Sequence, residues 1–202
     1  MFENLITMLL VAVALMGSPG PATLSLAAVG AAFGARAGLR FFGGIISGNI
    51  TVLLLLATGV TGIVLAVPEM KVAITLAAGA YILYLAYRIA KAPPAAAREA
   101  GARAPSFPSA YFLAIANPKA YAALGAVYSG NTLITEGFGE QTLLMDSGAK
   151  LLVMVCVMIT VNGSWLIFGS AFAAVLTDPR KSRIANICFA ILLVGSVVLA
   201  VL

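Results

Sequence analysis

A single lysine lies deep within an apolar stretch of this sequence. Lys119 follows Asn117 and Pro118, and separates two uncharged runs, 104–118 and 120–135. An ammonium buried in a bilayer costs about 2.5–3.5 kcal/mol on insertion scales, so such a lysine normally faces a cavity or a partner. No Asp or Glu lies inside the apolar runs, which makes a substrate carboxylate one candidate partner. Alternatively, Lys119 neutralises backbone carbonyls freed by Pro118, or extends toward a membrane interface.

Proline and glycine interrupt two of the apolar stretches. The run 4–35 contains Pro19, Gly20 and Pro21, and the later interruption is at Pro118. Proline removes a backbone donor and glycine permits non-helical angles, so we expect the helix to unwind locally at each place. Breaks in corresponding helices of two halves indicate a binding site, because half-helix N-termini and freed carbonyls then face one cavity. Simple kinks, with the freed carbonyls satisfied by neighbouring groups, are the alternative.

Asparagines supply the other candidate ligands. Asn49 and Asn162 lie within the second and fifth apolar runs, and Asn117 precedes Pro118. An amide both donates and accepts hydrogen bonds, which suits the ammonium or side chain of a zwitterion. Asparagine inside a membrane also joins helices, and that is the alternative role for each. The predicted substrate-binding residues are therefore Pro19, Gly20, Pro21, Asn49, Asn117, Pro118, Lys119 and Asn162.

Residues that most enzymes and metal sites require are scarce. The chain has no histidine, which removes Ser/His catalysis and histidine-based metal ligation. An aspartyl enzyme would need two buried carboxylates, whereas Asp146 and Asp178 lie at predicted helix ends on opposite faces. Two scattered cysteines, Cys156 and Cys188, make a poor site for a heavy metal. We therefore predict no catalytic residue, no metal and no cofactor.

Composition indicates which elements must hold the candidate residues. Of the 202 residues, 62% are hydrophobic and only 9% are charged, whereas roughly a quarter are charged in a soluble domain. The uncharged runs are continuously apolar rather than alternating, and about 20 such residues form one transmembrane helix. We predict an all-α integral membrane protein with six transmembrane helices. They correspond to the runs 4–35, 41–68, 72–87, 104–118 with 120–135, 151–177 and 184–202.

A proline-rich segment divides the chain almost in half. Residues 92–109 contain several prolines among alanines and charges, a composition that does not continue a helix. Three predicted helices lie in 1–91 and three in 110–202, and because three is odd, the second half enters the membrane from the opposite side. The sequence therefore predicts two inverted three-helix halves, as in many secondary transporters. A helical bundle without pseudo-symmetry is the alternative, because it fits the same number of helices.

Basic residues are concentrated in alternate loops. Most of the 12 Lys and Arg residues lie between helices one and two, three and four, or five and six. By the positive-inside rule these loops, including the linker 92–109, are cytoplasmic, and both termini are outside. The positive charge is thus a topology signal, and we predict no nucleic-acid partner.

Small residues recur at four-residue spacing in the first two helices. Gly30, Gly34 and Gly38 form one series, and Gly44 and Gly48 form another. Such spacing lets helices approach closely, and we predict that it joins helices one and two. Small-residue faces pack either within one chain or between chains, so the sequence is compatible with a monomer and with a homo-oligomer.

Four segments of the sequence, taken in order, resemble the LysE/RhtB-type amino-acid exporters of bacterial inner membranes. They are Ser18–Ala22, the glycine series through Gly38 and Gly48, Ala78–Leu85, and Asn117–Ala120. The resemblance implies a multi-pass inner-membrane protein that exports amino acids or close derivatives, driven by the proton motive force. The spacing of Asn162 and Trp165 also resembles the branch that exports small neutral amino acids.

We therefore predict a secondary exporter of small neutral amino acids that alternates access around its two helix breaks. Its partners are an amino-acid substrate and membrane lipid. The missing buried acid argues against a dibasic substrate such as lysine, because a second positive charge beside Lys119 would have no counter-ion. Two other functions stay open: a non-transporting membrane scaffold or accessory subunit, and an exporter of another small solute or ion.

Overall fold

Helices account for every regular element in the part of the chain that the computed structural model describes, residues 2–59, 68–92, 104–134, 140–175 and 178–201. The predicted all-α class is confirmed for these residues. In chain order the helices are α1 (Phe2–Gly17), α2 (Pro21–Phe33), α3 (Ala35–Ala57), α4 (Pro68–Ala90), α5 (Phe107–Ile115), α6 (Pro118–Ser129), α7 (Glu140–Val175) and α8 (Pro179–Val201).

Some of these helices are long and apolar enough to cross a membrane. Within the described ranges, two single helices qualify, Ala35–Ala57 and Glu140–Ala173. The pair α1 and α2 forms a third span if the two are taken together, with a bend of 65° at the break. The number of six transmembrane helices stays a prediction.

Both predicted helix breaks are present. The first separates α1, which ends at Gly17, from α2, which begins at Pro21. The second separates α5, which ends at Ile115, from α6, which begins at Pro118. Each proline occupies the first position of the following helix, where its fixed φ is favourable and its missing N–H would have no helical acceptor. Local chemistry therefore explains where both breaks fall.

The predicted linker 92–109 is partly helical. Helix α4 ends at Ala90, and residues 93–103 of the linker lie outside the described residues. Helix α5 already begins at Phe107, because Pro108 lies in its first turn, where proline is tolerated. The helix therefore starts earlier than the predicted second half, 110–202.

Packing joins helices from the two parts of the chain. Helix α2 packs on α7, α3 on α5, and α4 on α8. A Cβ added at Gly169 of α7 would lie 1.9 Å from the carbonyl oxygen of Ala27 in α2, and one at Gly44 of α3 would lie 2.4 Å from that of Phe107 in α5. The glycines thus allow close approach, but the prediction that they join helices one and two holds only for Gly38 of α3, where an added Cβ would lie 3.3 Å from Cγ1 of Val29 in α2. Gly30 contacts the backbone of α7 as well.

Several contacts bring the predicted cytoplasmic loops together. The Arg88 guanidinium at the end of α4 lies 5.7 Å from the ring centre of Phe33 at the end of α2. The Asn186 amide near the start of α8 donates to the carbonyl of Ala92, 3.4 Å away. We call this part of the bundle the basic end. Its described basic residues are Arg36, Arg40, Arg88, Lys91, Arg180, Lys181 and Arg183.

Candidate substrate cavity

The two helix breaks meet at a small cavity inside the bundle. Its volume is about 40 Å³, which is room for a few water molecules. Side chains or backbone from α1, α2, α3, α6 and α7 surround it. The lining residues are Met16, Gly20, Ala22, Thr23, Asn49, Asn117, Lys119, Ala120, Ala123, Leu124 and Asn162.

Most of the predicted site residues share this cavity, and the exceptions are three prolines. The cavity brings together Gly20, Asn49, Asn117, Lys119 and Asn162. By contrast, Pro19 and Pro21 line a groove on the other side of the break, beside α8, and Gly20 and Lys119 border that groove too. The third proline, Pro118, is exposed at the start of α6. The prolines therefore shape the breaks rather than line the central cavity.

The Lys119 ammonium connects the two breaks. Its Nζ donates to the carbonyl of Ser18 and to that of Pro19, the latter at 3.3 Å. Lys119 therefore satisfies carbonyls of the first break, and not those freed by Pro118 as one sequence interpretation held. A Cβ at Gly20 would lie 2.6 Å from Cδ of Lys119, so glycine leaves room for this side chain. We call this bridge the Lys119 latch.

Other polar backbone groups at the first break also have partners. The hydroxyl of Ser18 donates to the carbonyl of Leu15 at 2.9 Å, and the indole Nε1 of Trp165 donates to that of Gly17 at 3.1 Å. The N–H of Gly20 donates to Oγ1 of Thr23 at 2.9 Å. Unwinding a helix inside a bilayer is tolerated because neighbours satisfy the exposed groups in this way.

Removing the indole donor should weaken the first break. In Trp165→Phe, the Gly17 carbonyl loses its partner from α7, and we expect a loss of about 1–3 kcal/mol of stability. Thermal unfolding of the purified protein in detergent measures the effect. Ile167→Val, at an exposed position of the same helix, is the control and should unfold as the parent does. Equal melting temperatures for the two variants would contradict the assigned role of the indole.

Two amide oxygens of residues that line the cavity are buried without a hydrogen-bond partner in the described structure. They are Oδ1 of Asn49 and Oδ1 of Asn162. The orientation of the second amide is fixed, because its Nδ2 donates to the carbonyl of Met158 at 2.8 Å. A buried acceptor that lacks a donor costs about 1–3 kcal/mol. Both oxygens therefore favour a donor that enters the cavity.

Lys119 and two helix N-termini bring positive charge to the cavity. The N-terminal ends of α2 and α6 border it, and each helix carries a partial positive charge there. Asn117 caps α6, since its Oδ1 accepts a hydrogen bond of 3.1 Å from the backbone N–H of Lys119. The lining residues include no carboxylate. An anionic group is thus favoured beside Lys119, and a donor group beside the two amide oxygens.

An ion pair near the other end of the bundle was missed by the sequence analysis. Lys150 Nζ lies 2.9 Å from Oδ2 of Asp146, and both side chains are buried. The other carboxylate oxygen of Asp146 accepts from the N–H groups of Leu133, at 2.6 Å, and Ile134, at 2.9 Å. This pair fixes the chain that follows α6 against α7. The four-residue spacing of Asp146 and Lys150 could have indicated an ion pair on one helix face. The predicted helix began only at 151, however, so neither residue was assigned to it.

No curated protein and no solved structure matches the chain significantly. The family model described as LysE type translocator matches residues 13–202, a range that includes both breaks and the whole cavity. This match confirms the resemblance drawn from the sequence motifs. It also agrees with the prediction of a membrane transporter rather than an enzyme. The chain therefore belongs to the LysE type translocator family.

Proposed function

We propose that this translocator is a secondary exporter of small neutral amino acids, or close derivatives, across the bacterial inner membrane. One observation carries the proposal: a lysine, two helix N-termini and two asparagines surround one cavity, and the amide oxygens of both asparagines lack a donor in the described structure. A free α-amino acid presents the matching groups, a carboxylate and an ammonium, on the same carbon atom. We assign the carboxylate to Lys119 and the ammonium to Asn49 and Asn162.

The rest of the lining supports a small, uncharged substrate side chain. Apart from the polar groups, the cavity is bordered by Met16, Leu124 and three alanines. A second cation would be unfavourable here, because no carboxylate lies in the lining to balance it. At about 40 Å³ the cavity must widen for any amino acid to enter, and the widening needed is smallest for a small side chain.

The Lys119 latch suggests how binding is linked to movement. A substrate carboxylate and the carbonyls of Ser18 and Pro19 would compete for the same ammonium. When the substrate takes the ammonium, the first break loses its bond to α6 and the two broken helices are free to move apart. A ligand shifts a conformational equilibrium only by its different affinity for the two states, and this exchange supplies such a difference. We propose that the proton motive force drives the cycle, on the basis of the family resemblance.

We also propose that the two halves are inverted repeats, with both termini outside the cell. At the level of whole spans, exchange of the halves would relate the contacts of α1 and α2 with α7 to contacts of α5 and α6 with α3, and both sets of contacts are present. The α4–α8 contact would be related to itself. The basic end would face the cytoplasm under the positive-inside rule. Reporter fusions at each terminus test this orientation.

Replacing Asn162 by leucine should separate function from stability. The side chain is 3% exposed, and its hydrogen bond goes to its own helix at Met158. If its Oδ1 binds substrate, Asn162→Leu should lower export by roughly tenfold while stability is retained or increased, because an unpartnered buried oxygen is removed. If the residue joins helices instead, the melting temperature should fall together with export.

Amino-acid release from cells tests the proposed function itself. The free amino acids of the medium would be compared between cells that express the protein and cells with an empty vector, after loading with candidate amino acids. Accumulation of one or a few small neutral amino acids outside is expected only with the protein. Identical profiles would favour a scaffold role or another solute. An exporter of another small solute or ion would be identified by competition between that solute and the amino acids for export.

A further inference from the structure

A second groove lies at the surface between the end of α7 and the first half of α8. Its volume is about 390 Å³. Among the described lining residues only Lys181 is polar, and the apolar ones include Phe172 of α7 and Ile184, Cys188 and Leu192 of α8. This groove is separate from the cavity at the helix breaks, with which it shares no lining residue.

The groove has the length of one membrane leaflet. Lys181, Ile184, Cys188 and Leu192 follow the three- and four-residue spacing of one helix face. From Lys181 to Leu192 the helix rises about 16 Å at about 1.5 Å per residue. The hydrocarbon core of a bilayer is about 30 Å thick, so a groove of this length on a helix perpendicular to the membrane would reach from one surface to about the midplane. An acyl chain of a phospholipid has the same extent.

Positive charge surrounds the outer end of the groove. Arg180, Lys181 and Arg183 are exposed in the first turns of α8, which belong to the basic end. One acidic residue is adjacent, Asp178, and its Oδ1 accepts the backbone N–H of Arg180 at 2.7 Å. Among the described residues at this start of α8, three positive charges therefore oppose one negative charge. Basic residues at this level of a membrane protein attract anionic headgroups.

We propose that this groove binds one anionic phospholipid, with the phosphate at Lys181 and an acyl chain along Ile184, Cys188 and Leu192. The apolar wall accounts for binding of the acyl chain, and the lysine accounts for the preference for an anionic headgroup. The site is independent of the amino-acid cavity, so its test does not depend on export. The lipid would belong to the leaflet that contacts the basic end.

Lipid retention by the purified protein tests the proposal. The protein in neutral detergent would be mixed with phosphatidylglycerol or phosphatidylcholine of the same acyl composition, and bound lipid would be counted by native mass spectrometry. Phosphatidylglycerol should be retained preferentially, and Lys181→Gln should reduce its retention about fivefold without affecting phosphatidylcholine. Arg40→Gln is the matched control, since Arg40 is an exposed basic residue of the same end outside the groove.

Cysteine modification gives a second, local measurement. Cys188 lines the groove and Cys156 lies elsewhere, on α7, and both thiols are exposed. In Cys156→Ser, phosphatidylglycerol should slow the reaction of Cys188 with N-ethylmaleimide; in Cys188→Ser, the reaction of Cys156 should not change. Equal retention of the two lipids, or equal losses in Lys181→Gln and Arg40→Gln, would overturn the proposal. Protection of Cys188 without lipid, together with a Cys188–Cys188 crosslink, would assign the groove to a second copy instead.

Discussion

Replacing Lys119 by methionine should reduce amino-acid export by roughly ten- to a hundredfold, the loss expected for a hydrogen bond to a charged group. Methionine keeps an unbranched side chain that is one atom shorter, and removes the ammonium that we assign to the substrate carboxylate. It also removes the Lys119 latch to the carbonyls of Ser18 and Pro19. Insertion should be retained, because an apolar residue enters a bilayer more readily than a lysine. Efflux from preloaded cells at matched membrane abundance measures the change.

Two further variants make this result specific. Lys119→Arg keeps the positive charge but replaces a compact ammonium by a planar guanidinium, so we expect partial export. Lys91→Met removes an exposed lysine of the basic end that lines neither the cavity nor the groove beside the first break. This variant should export as the parent does. Unchanged efflux in Lys119→Met would remove this residue from the substrate site without disproving transport.

Replacing Gly169 by alanine should destabilise the whole bundle by about 3 kcal/mol or more. The added Cβ would lie 1.9 Å from the carbonyl oxygen of Ala27, and backbone atoms cannot move aside as a flexible side chain does. Helices α2 and α7 would have to separate, and overpacking of this kind typically costs about 1–3 kcal/mol even where side chains can adjust. Because α2 and α7 both border the cavity, export should fall with the folded yield. Thermal unfolding and the monodisperse fraction in detergent report the effect.

Gly148→Ala is the matched control for this prediction. Gly148 lies on the same helix, and a Cβ there would meet nothing within 4 Å. Alanine is a better helix former than glycine by about 1 kcal/mol, so this variant should be as stable as the parent or more stable. If Gly169→Ala were equally well tolerated, the close contact between α2 and α7 would be contradicted.

The helix breaks were predictable from sequence, whereas the packing partners were not. Pro21 and Pro118 act locally, since a proline fixes its own φ and removes its own donor wherever the rest of the chain lies. A glycine series indicates only that another backbone comes close. Gly44 therefore suggested a neighbour correctly, but the choice of α5 rather than the preceding helix depends on the tertiary arrangement.

The same difference applies to the candidate site. Lys119, Asn49 and Asn162 stand out because polar residues are rare inside apolar runs, and the structure brings them to one cavity. The acceptors of the Lys119 latch are backbone carbonyls, which leave no side-chain signal in a sequence. The partnership of Trp165 with the Gly17 carbonyl likewise joins residues far apart in the chain. Such contacts follow from the fold and not from local spacing.

Counterflow in proteoliposomes tests the central claim most directly. Purified protein would be reconstituted into vesicles loaded with an unlabelled small neutral amino acid, and uptake of the same labelled amino acid would be followed over time. We predict uptake above that of protein-free vesicles, inhibited by other small neutral amino acids but not by lysine, and lost in Lys119→Met. Vesicles with the parent protein that accumulate no more label than protein-free vesicles, for every amino acid tried, would contradict the account of an amino-acid exporter.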